Sequence, residues 1–333
     1  MSGMLSFRNE FAQRSVESGA SFSLLNGTTI DSGSVNSLLT RQLSKGIVLG
    51  GGNINGKWFR VGITLPQWGS YTPSVGDTYL SRAGVRVFAL LGLNLPVFKN
   101  TSPPPQLPYL RIFGVSWDPV SMVEQLVLLK EDNPYRNVTI EGESGPVNRI
   151  YTGFEYSNPV TGEGLEFAYY VVNISLDEGN GTNRAPFIGG IWIGNAVVLP
   201  FANNWELGVI EQGADIAISR GGQAYANKGS ICKTLSGEFT GTQYDRNAAF
   251  GKNVVIPYTG IRRTPDWMQD AQIHIGRTGP CIVVPRAAGQ DGSGVAWTQD
   301  PYTAVYGSLN SPIRIIQQGG DIFSTPVQIT EER

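Results

Sequence analysis

The sequence has few of the side chains that most catalytic and metal sites need. Histidine occurs once in 333 residues, at His274, and cysteine twice, at Cys232 and Cys281. A zinc site takes about four clustered Cys and His ligands, which these three scattered residues do not supply. A nucleophilic triad would have to use His274, which alternates with isoleucines as on one face of a strand. We therefore predict neither a catalytic site nor a metal site.

Charged residues and long apolar runs are scarce as well. Asp, Glu, Lys and Arg make up 16% of the chain, and the net charge is −2. Typical domains have about 25% charged residues, and nucleic-acid binding needs a basic excess that is missing here. The most apolar run, 85–98, is interrupted by Gly and Pro and is shorter than the roughly 20 residues of a membrane helix. We expect no nucleic-acid partner, no membrane span and two buried free thiols.

Glycine and proline are abundant, with 42 and 20 residues, and 41% of the chain is hydrophobic. This composition excludes a coiled coil, which needs few helix breakers, and global disorder, which needs few apolar residues. The glycine-rich run 50–56 lacks the spacing of a phosphate-binding loop and precedes a strand-like segment, not a helix. We interpret it as a hairpin connection and predict no cofactor.

Strand-type patterns dominate the chain. Segments rich in β-branched and aromatic residues, bounded by Gly or Pro, are 57–65, 84–91, 167–175, 191–199, 279–285 and 313–316. Helical spacing is limited to 34–43, 121–130 and 266–272. Turn signals recur about every 8 to 12 residues, as is typical of sandwiches and barrels. The prediction is a mainly β fold of antiparallel sandwich or barrel domains with two or three short helices.

A polar segment at 177–186 is the preferred domain boundary. It predicts an N-terminal β-rich domain with short helices over 1–180 and a C-terminal sandwich or barrel domain over 186–333. The proline-rich segment 101–108 and the glycine-rich segment 287–294 are interpreted as loops.

Aromatic residues divide into core and contact candidates. Trp192 and Trp205 lie in apolar surroundings and are predicted to be core residues. Others stand among Gly, Ser, Pro and Gln, as is typical of exposed contacts, and an arginine before Gly221-Gly222 is expected on a loop tip, paired with a neighbour's acid. The candidate contact residues are Trp68, Tyr71, Arg220 and Trp297.

The C-terminal part carries an ordered series of motifs. They are IGGIWIG at 188–194, LPF at 199–201, NWELG at 204–208, SRGGQAY at 219–225, DPYTAVYG at 300–307 and FSTPVQITE at 323–331. In this order they resemble tail-tip or baseplate proteins of siphophages, of the distal tail type, notably those of Mu-like phages infecting Pseudomonas. The resemblance covers residues 187–331.

The resemblance implies a structural component of the phage virion and not an enzyme. Such a protein would form a homo-oligomeric ring or collar, a trimer or hexamer, that links the tail tube to the hub and the receptor-binding fibres. It would be made in the host cytoplasm and end in the tail. Low charge and many aromatic residues are also typical of permanent interfaces between copies.

Two alternatives remain at this point. Trp68 and Trp297 could serve as sugar platforms of a carbohydrate-binding module that attaches the tail to a host-surface glycan. Carboxylate pairs such as Glu141 with Glu143, or Glu163 with Glu166, could support a cell-envelope hydrolase, since glycoside hydrolysis needs two carboxyl groups.

Overall fold

The structure of the chain is a computed structural model. The residues that it describes are 2–7, 9, 11–12, 20–51, 56–63, 80–81, 85–93, 110–118, 121, 123–132, 147–152, 156–157, 164–167, 169–174, 185–200, 204–212, 215–218, 224–227, 230–242, 255–256, 260–261, 275, 279–287, 303–314, 316–319 and 322–332.

The described residues form strands that pair antiparallel, together with short 3-10 helices at Val35–Leu39 and Leu43–Lys45. The strands are β1 (Ser2–Ser6), β2 (Ala20–Leu25), β3 (Thr28–Ser32), β4 (Ile47–Gly51), β5 (Lys57–Ile63), β6 (Leu80–Ser81), β7 (Val85–Leu93), β8 (Leu110–Asp118), β9 (Val123–Asp132), β10 (Val147–Thr152), β11 (Tyr156–Ser157), β12 (Gly164–Phe167), β13 (Tyr169–Ile174), β14 (Phe187–Ile188), β15 (Gly190–Pro200), β16 (Glu206–Gln212), β17 (Asp215–Ile218), β18 (Ala224–Asn227), β19 (Ser230–Thr242), β20 (Val255–Ile256), β21 (Gly260–Ile261), β22 (Pro280–Ala287), β23 (Val305–Leu309), β24 (Ile316–Gly319) and β25 (Ile322–Glu331).

The predicted mainly β fold is confirmed. Five of the six predicted strand segments coincide with β5, β7, β13, β15 and β22. The sixth, 313–316, is largely wrong: Ile313 is buried outside any strand, and only Ile316 belongs to β24.

Of the predicted helices, one is confirmed in a tighter form and one is wrong. The segment after Ser34 is a 3-10 helix, and the Ser34 hydroxyl accepts a hydrogen bond from the Asn36 backbone N–H at 3.3 Å. Residues 123–130 of the second predicted helix instead belong to strand β9, in which Val127 and Leu129 pack against a buried core. Burial with period 2 therefore overrides the helical spacing of its apolar residues. The third segment, 266–272, lies outside the described residues.

Internal contacts divide the chain into two compact units. Unit 1 comprises Met1–Arg8, Asn195–Val254 and Ile261–Arg333, and unit 2 comprises Asn9–Gly194 and Val255–Gly260. Each unit has a hydrophobic core of its own. The division into 1–180 and 186–333 as independent domains stays a prediction.

Unit 2 is a sandwich around a large apolar core. One layer is the five-stranded sheet β2-β5-β13-β8-β9. Alternate residues of β13, Tyr170, Val172 and Ile174, belong to this core, and Val171 and Asn173 on the other face of the strand are buried as well. The remaining buried core residues come from β4, β5, β7, β8, β10, β14, β15 and neighbouring segments: Phe11, Leu38, Ile47, Leu49, Phe59, Val61, Phe88, Leu90, Leu93, Leu110, Ile112, Tyr151, Ile188, Ile191 and Ile193.

Two connections in unit 2 carry the chain between sheets. Asn26 and Gly27 have φ angles of 51° and 73°, and this tight turn leads from β2 in the five-stranded sheet to β3 in the sheet β14-β4-β3. The glycine-rich run 50–56 leads from β4 back to β5 in the five-stranded sheet. Among the described residues β4 and β5 do not pair, so the predicted hairpin connection at 50–56 is wrong.

Unit 1 is built on one sheet. Its strand order is β15-β1-β22-β23-β25-β19-β16, with β24 paired to β25, and β15 contributes residues 197–200. Strand β1 lies between β15 and β22, and its Met4 and Leu5 are fully buried. The buried core residues are Leu5, Leu235, Phe239, Ile275, Cys281, Val283, Val305, Leu309, Ile313, Val327 and Ile329.

Pro326 of β25 lies where the strand has one partner among the described residues. Pro326 is opposite Glu238 of β19, whereas the pairing of β25 with β24 ends at Ser324 and that with β23 begins at Ile329. A proline has no N–H for a sheet ladder, so it fits a position where one side of the strand is unpaired.

Candidate functional site

The four predicted contact residues lie outside the described residues: Trp68, Tyr71, Arg220 and Trp297. His274 also lies outside them, as do Glu141, Glu143 and Glu163 of the two carboxylate pairs. The structure therefore neither brings these side chains together nor separates them. Of the two tryptophans predicted to be core residues, Trp192 is confirmed as fully buried. Trp205 is half-buried and packs against the core of unit 1.

Both cysteines are buried free thiols, as predicted. Among the described residues no group of three or more His, Cys, Asp and Glu side chains is arranged to hold a metal ion.

No helix within the described part of the chain has the length and hydrophobicity to cross a membrane.

Exposed aliphatic side chains concentrate at one end of the sheet of unit 1. We call this surface the β16 edge and define it as Leu207, Val209 and Ile210 of β16 and Ile231 of β19. Their exposed fractions are 40%, 66%, 41% and 51%. Burying such a side chain fully stabilises a protein by about 1.5 to 3 kcal/mol. The exposed part of each of the four side chains therefore corresponds to roughly 1 kcal/mol of hydrophobic stabilisation that its further burial would add.

The register between β16 and β19 decides which of these side chains share a face. Leu207 is opposite Leu235 and Val209 is opposite Lys233, while Ile231 is opposite Glu211. Opposite residues of an antiparallel pair point to the same face, so Leu207, Val209 and Ile231 extend the face that contains the core residue Leu235. The face that contains the core thus continues to β16, where the three aliphatic residues share it with Lys233 and Glu211.

Strand β16 is also an open sheet edge. It stands at the end of the strand order of unit 1, so within the described part of the chain its outer backbone groups have no partner strand. Its seven residues pair with β19 without a register shift and include no Lys or Pro. Soluble proteins usually protect such edges with charged side chains, proline or a bulge, because a regular open edge is a template for another strand; of these, β16 has the exposed Glu206 and Glu211.

Strand β9 forms the corresponding end of the five-stranded sheet in unit 2, and its Leu126 and Leu128 are about half exposed, at 51% and 50%. This edge has protective features, however. A register shift between Ile112 and Phe113 of β8 leaves Leu129 as an extra residue, and Lys130 is exposed. Such a bulge and an edge lysine both disfavour the addition of another strand.

Two ion pairs also lie on the outer face of the five-stranded sheet. The Arg60 guanidinium donates two hydrogen bonds to the Glu124 carboxylate, at 2.9 and 3.0 Å, and lies 4.3 Å from the centre of the Tyr169 ring. Arg111 pairs with Glu131 at 3.3 Å. The two exposed leucines of β9 therefore have charges of both signs near them on the outer face.

Sequence reasoning missed both surfaces. The motif NWELG at 204–208 contributed to the resemblance, but nothing local marks β16 as the last strand of a sheet. A usable signal was the run Leu207-Gly-Val-Ile210, in which two adjacent residues of opposite faces, Val209 and Ile210, are both apolar on a strand that also carries Glu206 and Glu211.

No protein-family model matches the chain, and no curated protein matches it either.

Proposed function

We propose that this chain is a structural subunit that assembles with copies of itself and turns over no substrate. The observation that carries the proposal is the β16 edge, a regular strand that has one partner strand within the described residues and a strongly exposed valine at its centre. Permanent assemblies bury such surfaces between subunits, with apolar residues at the centre of the contact.

The setting of this assembly is proposed from the C-terminal motifs described above. Their resemblance to tail-tip and baseplate proteins supports a ring or collar of three or six copies in a phage tail tip. Its partners there would be the tail tube, the hub and the receptor-binding fibres. The role is mechanical, because such a ring transmits contacts between tail parts and performs no chemistry.

The first test is the mass of the purified full chain in solution. Light scattering after size exclusion and native mass spectrometry should both give a discrete multimer of three or six copies that persists on dilution. The second is its presence, at a fixed copy number, in purified virions measured by quantitative mass spectrometry. A chain that stays monomeric at high concentration and binds no other tail protein would overturn the proposal.

A further inference from the structure

We propose that Asn26 is a site of spontaneous deamidation, in which the backbone nitrogen of Gly27 displaces ammonia from the Asn26 side chain. The modification is a property of the turn between β2 and β3 and does not depend on the proposed assembly. In a structural subunit of the proposed kind, which is not replaced after assembly, the modified form would accumulate with age.

The reaction closes a five-membered ring between adjacent residues. The Gly27 nitrogen loses its proton to hydroxide and attacks the side-chain carbonyl carbon of Asn26. A carbon–nitrogen bond forms there, and the side-chain amino group takes a proton from water and leaves as ammonia. Water then adds to either carbonyl of the cyclic imide and opens it, which leaves an aspartate or an isoaspartate at position 26. The reaction needs no oxidant, reductant or cofactor.

Gly27 leaves the attacking nitrogen accessible. A side chain on the residue after an asparagine crowds this nitrogen, and glycine has none. Nothing lies within 4 Å of the position that a Cβ on Gly27 would take. Among the described residues, Asn26 is the only asparagine that a glycine follows.

The Asn26 side chain is able to reach that nitrogen. Asn26 and Gly27 are both exposed. Within the part of the chain that the structure describes, the side-chain amide of Asn26 makes no hydrogen bond. The side chains of Asn9 and Asn148, in contrast, are held by hydrogen bonds to strand backbone. The Asn26 amide can therefore rotate without breaking a contact.

The turn at Asn26 lacks the support that holds the turn of a hairpin. Ring closure needs a rotation about the Asn26 Cα–C bond, out of the left-handed conformation, so the turn must open first. In a hairpin, hydrogen bonds between the two flanking strands oppose such opening. Here β2 pairs with β5 and β3 pairs with β4, and among the described residues β2 and β3 do not pair with each other. Opening also releases a non-glycine residue from a φ of 51°, which such residues rarely adopt.

The products change the connection between two sheets of unit 2. Both add a negative charge, and isoaspartate also lengthens the backbone by one atom. The residues on either side are fixed by pairing, Leu25 opposite Trp58 and Thr28 opposite Gly51. Thr28 is buried, and its hydroxyl accepts a hydrogen bond from the Trp58 backbone N–H at 2.9 Å. A longer link between Leu25 and Thr28 should therefore loosen this junction.

Peptide mass spectrometry of the folded full-length chain tests the site. After incubation at mildly alkaline pH, the tryptic peptide 15–41 should gain the mass difference between an amide and a carboxyl group, and fragmentation should place it at Asn26. Asn36 is the internal control, since it is exposed in the same peptide but precedes Ser37. Conversion at Asn26 should be at least about tenfold faster than at Asn36.

Two variants test the mechanism. Asn26→Gln keeps an amide but lengthens the side chain, which disfavours the ring, and should abolish the mass change at position 26. Gly27→Ala crowds the attacking nitrogen and should slow conversion at Asn26 by at least about tenfold. Conversion at Asn36 should be unchanged in both variants, and thermal melting checks that both fold.

The outcomes are independent of the proposed function. Conversion at Asn26 that is no faster than at Asn36 overturns the inference. Conversion that occurs only in the urea-unfolded chain overturns it too, because the turn would then protect the residue. Neither result affects the structural role. A monomeric chain that deamidates at Asn26 would overturn the proposed function and support this inference.

Discussion

Individual glycines in this protein lie so close to neighbouring backbone that a side chain has no space. A Cβ on Gly307 of β23 would lie 1.8 Å from the Thr330 carbonyl oxygen, and one on Gly46 would lie 1.7 Å from the Ile188 carbonyl oxygen. Because the obstructing atoms belong to the backbone, no side-chain rotation can relieve the overlap. These glycines are required by packing, not by their φ angles.

We therefore expect Gly307→Ala to destabilise the protein by about 3 kcal/mol or more, since backbone strands must separate to admit the methyl group. Urea unfolding followed by circular dichroism measures the change. Gly27→Ala is the matched control: its φ is 73° but nothing lies within 4 Å of the added Cβ, so the cost should be about 1 kcal/mol. Equal effects of the two substitutions would contradict the steric explanation.

The side-chain amide of Asn9 forms two hydrogen bonds with the backbone of β15. Its Nδ2 donates to the Ile191 carbonyl at 2.8 Å, and its Oδ1 accepts from the Ile193 N–H at 3.3 Å. One side chain thus makes the two hydrogen bonds on β15 that a neighbouring strand would make. The sequence around Asn9 does not indicate this role, because Asn9 and β15 are far apart along the chain.

At the scale of elements, the two exposed sheet edges differ in how they are protected. On the five-stranded sheet, the Arg60–Glu124 pair connects β5 to β9 across the outer face. The forked geometry of the two hydrogen bonds depends on the planar guanidinium, which a lysine cannot reproduce.

A double-mutant cycle on Arg60→Lys and Glu124→Gln should give a coupling free energy of about 0.5 to 1 kcal/mol, because both side chains are partly exposed. The measurement is chemical unfolding at low and high salt. The coupling should decrease at high salt, where charges on an exposed surface are screened. A coupling that is unchanged by salt would show that packing on Tyr169, and not charge, dominates.

At the scale of the whole molecule, unit 1 depends on the first residues of the chain. Strand β1 lies between β15 and β22, in register from Ser2 opposite Pro200 to Leu5 opposite Val197. Sequence reasoning placed residues 1–8 with the N-terminal half, since nothing local shows which distant strands they join. The contacts group them with residues 195–254 and 261–333.

Removal of residues 2–8 should therefore damage unit 1 although its remaining strands are intact. Loss of a central strand with the fully buried Met4 and Leu5 should abolish the cooperative unfolding of this unit, as followed by near-ultraviolet circular dichroism and hydrogen exchange of β22. Met4→Leu, which preserves volume, should cost less than about 1.5 kcal/mol. Normal protection of β22 in the truncated chain would contradict the dependence.

The sequence by itself determined the class of this protein: antiparallel β structure, two buried free thiols and a buried Trp192. These features depend on local pattern and composition, which a single segment already contains. The tertiary structure alone decided that residues 123–130 belong to a strand, that the run 50–56 connects strands of two sheets and that β16 is the last described strand of its sheet, with apolar residues exposed. Each of these features depends on pairing between segments far apart in the sequence. The free energy of that pairing cannot be read from one segment alone.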